Sequence, residues 1–325
     1  MSGGARQRSA AIDAVRVLGV VAVVAGHVWG EVPVVRALLF SWHVPVFFLL
    51  SGYLASSAPV GVLARRRATS LLLPYATWLV LITLLLPGVI PIPNLLLGGA
   101  YLPRPYSAFW FVTALFVAVV VAALLERMPL SRQWVIAGAV LLVAYLVGPA
   151  LAQVPLDAGV GVVCVVFVVA GRTLRHLRDT IRRPVVVGSA AVLGGLLLAG
   201  FGVVRPLDLK YADFGTPVAS VVVAIAISAG LVLVAEGVLR DLSAGANALI
   251  TRVALGGFMV VLSHTAVLYA IGFDGTGRML AFALSLGVPW IAALVVLVTP
   301  LALPLTGVRR QPLRVVESAD SAGPR

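Results

Sequence analysis

Apolar residues in this chain come in long blocks, broken by short stretches that hold arginine, proline and glycine. Ten blocks approach the length a helix needs to cross a bilayer, roughly 20 residues for a hydrocarbon core of about 30 Å. They fall at 12–30, 37–57, 70–90, 107–125, 134–152, 155–173, 184–204, 216–236, 251–272 and 280–303. The pattern predicts an all-α fold, a polytopic integral membrane protein built as a bundle of about ten transmembrane helices. Arg6 and Arg8 ahead of the first block imitate a secretory signal. The block is long enough to span and no small-residue cleavage site follows, so it is expected to stay as the first helix. The expected organisation is an N-terminal tail at 1–10, a membrane domain at 11–306 and a polar, disordered tail at 307–325.

The basic residues set the orientation. Assigning alternate gaps to opposite sides puts eighteen of them on one side, among them Arg65, Arg66, Arg67 and the run from Arg172 to Arg183. The other side receives five: Arg36, Arg104, Arg205, Lys210 and Arg278. Loops facing the cytoplasm carry the excess of Lys and Arg, so both termini are expected there, with the chain in the inner (cytoplasmic) membrane.

Composition narrows the function classes. The chain is 61% hydrophobic and 11% charged. That lies far from soluble globular proteins. Its net charge of +12 does not point to nucleic acid, because the basic residues are not interleaved with aromatics on an amphipathic surface. A single cysteine, Cys164, leaves no intrachain disulfide and no thiolate metal site, and no metal is expected.

Candidate chemistry lies in the few polar residues within the blocks. Arg16 and His27 are eleven residues apart in the first block. At about 100° and 1.5 Å per residue, both fall on one helix face, ~16 Å apart along the axis. Ionisable groups within a span are costly unless they face a cavity or partners, so the pair predicts a polar passage inside the bundle. His43 in the second block and His264 in the ninth come out at nearly the depth of His27 when the helices run antiparallel. Ser51 lies deeper in the second block, while His176 falls in a basic loop. Facing histidines suit haem ligation, a proton-coupled exporter or acid–base catalysis. Haem leaves Arg16 unexplained. A proton-coupled exporter, with Arg16 neutralising an anionic headgroup, normally carries an intramembrane carboxylate relay, whereas Asp13, Asp157 and Glu236 sit at helix ends. Imidazole, with an ordinary pKa of about 6.5, suits proton transfer near neutral pH.

Arg16 and His27, the run HVPVFFLLSGYL from His43 to Leu54, FWFVTALF from Phe109 to Phe116 and the LSH ending at His264 together resemble the membrane-bound acyltransferase 3 family. The resemblance extends from about residue 10 to 305. It implies an O-acyltransferase that uses cytoplasmic acyl-CoA to acylate a hydroxyl of a sugar, lipid or secreted metabolite, with acetyl the expected acyl group. It implies His27 as the catalytic base, with His43 and His264 as further catalytic candidates and Arg16 in binding the donor. An acyl-histidine intermediate is a second route. Family members often carry a second arginine shortly before a Leu-Pro-Tyr. Here Arg65, Arg66 and Arg67 stand further from LLLPY, and they are the candidates for the donor's phosphates. Ser51 and Trp110 are candidates for the oxyanion or the acceptor. The expected partners are acyl-CoA, a hydroxylated acceptor and membrane lipids.

Overall fold

Residues 10–311 are described by the computed structural model. Of the tails expected at 1–10 and 307–325, residues 1–9 and 312–325 lie outside the described residues, together with Arg6, Arg8, Arg314 and Arg325. The chain forms α1 (Ala10–Trp29), α2 (Pro33–Phe40), α3 (Pro45–Tyr53), α4 (Val60–Arg67), α5 (Leu73–Leu85), α6 (Ile92–Leu97), α7 (Trp110–Leu125) and α8 (Leu130–Val147). It continues with α9 (Ala158–Val163), α10 (Val165–Leu177), α11 (Pro184–Gly200), α12 (Ala219–Val238), α13 (Ala244–Ala270), α14 (Arg278–Val296) and α15 (Ala302–Thr306). One isolated bridge, Asp208 with Asp213, is the sole β pairing among the described residues. The fold is all-α and polytopic, as the apolar blocks predict.

Each apolar block falls on helix. By length and composition seven helical runs among the described residues can cross a membrane, and the pair α9–α10, bent by 44° at Cys164, makes an eighth. The blocks at 107–125 and 184–204 form α7 and α11, apolar helices of 16 and 17 residues that are shorter than a full span. Gly307 and Val308 line the same cavity as Arg16, so both described ends of the chain lie toward one face.

Three local features shape the interior. The block expected as one helix over 37–57 is broken at 41–44, because Pro45 has no N–H to give the Ser41 carbonyl. The turn is stabilised by Ser41 Oγ donating to the Ala37 carbonyl at 2.7 Å and His43 Nδ1 donating to that of Leu39 at 2.7 Å. Similarly, Pro74 cannot bond the Ser70 carbonyl, and a π-helical turn at Ala68–Leu72 joins α4 to α5 just before it. The freed Ser70 carbonyl lies against Gly307, where a Cβ would collide with it. Finally, α3 and α10 touch through Gly52 and Gly171. Each faces a carbonyl of the other helix, Val168 and Leu49, with no room for a side chain. In lipid, where water no longer drives helices together, such small-residue contacts carry much of the packing.

At the Arg16 end, Tyr53 donates to Glu236 Oε1 at 2.6 Å and Arg178 binds the same oxygen at 3.3 Å, joining α3 and α12 to the end of α10.

Candidate active site

The last turn of α1 brings His27 to a cavity of about 410 Å³. The turn at 41–44 brings His43 to the same cavity, and the start of α7 adds Trp110. Behind His27, α13 supplies His264, which is fully buried and does not line the cavity. The rings of His27 and His264 stand 4.9 Å apart. The structure thus gathers the three histidines of the apolar blocks at one level.

Hydrogen bonds fix two tautomers. His43 Nδ1 lies 2.7 Å from Leu39 O. A carbonyl only accepts, so this nitrogen carries a proton. His264 Nδ1 does the same toward Val260 O at 2.9 Å. In the neutral rings the remaining nitrogen, Nε2, is therefore the basic one. His264 Nε2 is buried with no hydrogen-bond partner among the described residues. His43 Nε2 faces α1 at Gly26, the residue before His27.

The other polar residue of α1 opens on a second cavity. Arg16 and Arg67 line a space of about 280 Å³ with Ser51, Ser70 and Val308. Arg16 is held at 2.7 Å by Asp13, whose side chain is buried. Three residues apart on one helix, the two are neighbours on its surface. Arg67 ends α4 immediately before the π-helical turn.

Among the described residues three line both cavities: Phe47, Phe111 and Val261. The Phe47 and Phe111 rings are 5.5 Å apart and tilted by 60°. Phe47 also lies over α1 at Gly19, where a Cβ would come within 2.7 Å of its Cζ. Val20 of α1 faces the Arg16 cavity and Val23 the histidine cavity, so the three residues form a wall about midway between Arg16 and His27.

The predicted residues therefore divide. His27, His43 and Trp110 share one cavity, while Arg16, Arg67 and Ser51 share the other. Ser51 donates to the Phe47 carbonyl at 3.0 Å on the far side of the wall from His27. Arg65 and Arg66 are exposed and line neither. Of the later basic run, Arg172 donates to Ala122 O at 2.8 Å and Gln133 Oε1 at 2.9 Å, and Arg175 donates to the Ala55 carbonyl. Both line a separate cavity of about 380 Å³.

Sequence reasoning missed several residues. Asp13 was readable from its i, i+3 spacing to Arg16, which inside an apolar helix signals a pair. Ser107, whose buried hydroxyl has no partner among the described residues, lines the histidine cavity and carried no motif. Arg36, Arg104, Asp208 and Lys210 come to that cavity from distant parts of the chain. Arg104 reaches the end of α1, where its guanidinium donates to the His27 carbonyl at 3.4 Å.

The family model described as an acyltransferase domain, that of acyltransferase 3, matches residues 9–307. Neither curated proteins nor solved structures gave a match to the chain.

Proposed function

The chain belongs to the acyltransferase 3 family, and from that premise we propose that it moves an acyl group, acetyl in the simplest case, from cytoplasmic acyl-CoA to a hydroxyl of a sugar, lipid or secreted metabolite. The observation that carries this reading is the pair of cavities meeting at Phe47, Phe111 and Val261, one with Arg16 and Arg67, the other with His27 and His43. Two arginines suit the phosphates of the donor, since a guanidinium offers planar, bidentate donors to such groups. A thin pantetheine arm then crosses the wall and presents its thioester at His27.

On the histidine side, His27 takes the proton of the acceptor hydroxyl as its oxygen attacks the thioester carbonyl. The tetrahedral oxyanion collapses by breaking the carbon–sulfur bond, and the thiolate of CoA receives the proton from His27. His264 supports this as a positioning residue, packed against the ring from behind. His43, its Nδ1–H engaged with Leu39, offers a second proton acceptor in its neutral form and not an oxyanion donor. The free hydroxyl of Ser107 and the indole N–H of Trp110 are uncharged donors available to the oxyanion in the same cavity, beside the cations Arg36, Arg104 and Lys210.

The test is acyl-CoA consumption by the protein purified in detergent. Labelled acetyl-CoA should be consumed by the parent chain and not by His27→Ala. A well-folded parent chain with no such turnover supports the exporter reading instead.

A further inference from the structure

Five basic residues occupy the less basic side of the membrane, and three of them, Arg36, Arg104 and Lys210, line the histidine cavity. The contacts of the five differ in kind. Arg205 pairs with Asp213 at 2.8 Å, Arg278 with Glu31 at 3.8 Å, and Arg36 with Asp208 at 2.6 Å while lying over the Phe40 ring. Arg104 and Lys210 have no carboxylate within ion-pair distance among the described residues. Arg104 reaches the His27 carbonyl and lies near the Phe273 ring. Lys210 Nζ donates to the Leu102 carbonyl at 2.7 Å and lies near the Tyr211 ring. One hydrogen bond each leaves two of the lysine's three donors and most of the arginine's five without an acceptor among the described residues.

Lys210 is only partly exposed, and a cation there without a carboxylate in ion-pair reach is costly beside apolar walls, whereas Arg104 is exposed. Such walls concentrate the field of both on whatever enters. Burial lowers the Lys210 pKa, while Asp157 and Asp208 raise it. Arg104 bonds the His27 carbonyl and Lys210 lines the same cavity as the His27 ring, so a negative group held by them lies near the reacting hydroxyl. The donor's phosphates do not call for them, because on the acyl-transfer reading those have Arg16 and Arg67 in the other cavity.

We propose that Arg104 and Lys210 form an anion subsite, and that the acceptor carries a fixed negative charge, carboxylate or phosphate, beside the hydroxyl that is acylated. This rests on the acyl-transfer reading and names its acceptor class. Arg36 and Asp208, neutralising one another, form the rim of the subsite. An anionic acceptor reaches it either as a soluble sugar acid or as a phospholipid headgroup, and the chemistry is the same.

The experiment measures transfer of labelled acetyl from acetyl-CoA by the full chain in detergent, using two matched pairs of acceptors. Glucuronate is set against glucose, and phosphatidylglycerol against diacylglycerol in mixed micelles. The anionic member of at least one pair should be used ~10-fold more efficiently in kcat/KM at low salt, with the preference shrinking as salt is added. The pair that responds tells a soluble from a lipid acceptor. Lys210→Gln and Arg104→Gln should each remove most of that preference, whereas Lys210→Arg and Arg205→Gln, the latter outside the cavity, should keep it. A merely structural role would lower use of charged and neutral acceptors alike. Equal use within both pairs, or a preference untouched by either glutamine, overturns the subsite while His27-dependent consumption of acetyl-CoA persists. Absence of that consumption in the parent chain overturns the acyl-transfer reading itself, and the subsite with it.

Discussion

The imidazoles of His27 and His264 meet edge to face, their centroids 4.9 Å apart and their planes inclined by 64°, yet only His27 reaches the cavity. The two histidines are therefore not equivalent. On the acyl-transfer reading one touches what enters, and the other fixes where the first one points. His27→Ala and His27→Asn should reach normal membrane levels, bind acetyl-CoA nearly as the parent does, and lose turnover by ~10² or more. His264→Ala should lose ~10-fold, with His264→Asn closer to the parent because an amide N–H can still donate to Val260 O. Single-turnover measurements on purified variants read these differences. A well-expressed His27→Ala with full transfer removes the mechanism.

Donor binding should follow the second cavity. Arg16→Ala and Arg67→Ala are expected to raise KM for acetyl-CoA by ~10-fold, with a smaller effect on the acceptor, and Arg16→Lys to restore binding only partly. Arg65→Ala and Arg66→Ala, on the exposed side of α4, should behave as the parent. Asp13→Asn weakens the contact that holds Arg16 and should shift the same constant in the same direction. Steady-state kinetics with acetyl-CoA varied decide the matter, and equal KM values for parent and Arg16→Ala remove Arg16 from the donor site.

On the same reading, the wall between the cavities sets what acyl group passes. Phe47 rests on Gly19 and faces Phe111, so Phe47→Ala removes most of one side of the aperture. That variant should accept benzoyl-CoA ~10-fold better relative to acetyl-CoA than the parent. Gly19→Ala should act in the opposite sense, pressing Phe47 into the passage. A selectivity ratio unchanged in both variants shows that the acyl group does not cross here.

Orientation can be read by labelling. Cys164 is buried and is the only cysteine, so replacing it with alanine gives a background for single introduced cysteines. Cysteines beside Arg104 and Asp274 should label from outside intact cells, and one at Arg66 only after the cells are opened. Labelling near Asp274 from the cytoplasmic side alone overturns the orientation.

The helices were legible in the sequence because membrane spans are encoded locally, as unbroken apolar length. Depth was legible too, since rise per residue is constant, and it brought His27, His43 and His264 to one level before any contact was known. Rotation was not. A helix in lipid is apolar on its lipid face and its packed face alike. Depth placed Ser51 below the level of His27 and nearer that of Arg16, while nothing in the pattern around it tells which neighbour it turns toward. The break at 41–44 had a visible cause in Pro45, whereas the approach of Arg104 and Lys210 to His27 depends on loops far apart in sequence. No local rule reaches that far.

Lipid elsewhere insulates the two faces of a membrane by about 30 Å of hydrocarbon. Between the Arg16 cavity and the histidine cavity that insulation is the layer formed by Phe47, Phe111 and Val261. On the acyl-transfer reading, in which the two cavities open to opposite faces, a membrane potential of ~100 mV, worth about 2.3 kcal/mol for each elementary charge, falls mostly across one stratum of side chains. On that reading the thioester enters and the protonated thiol leaves as neutral groups, so no net charge passes this layer during turnover. The layer can therefore pass an acyl group without passing current, and the rate in sealed vesicles should be indifferent to the sign and size of an imposed potential.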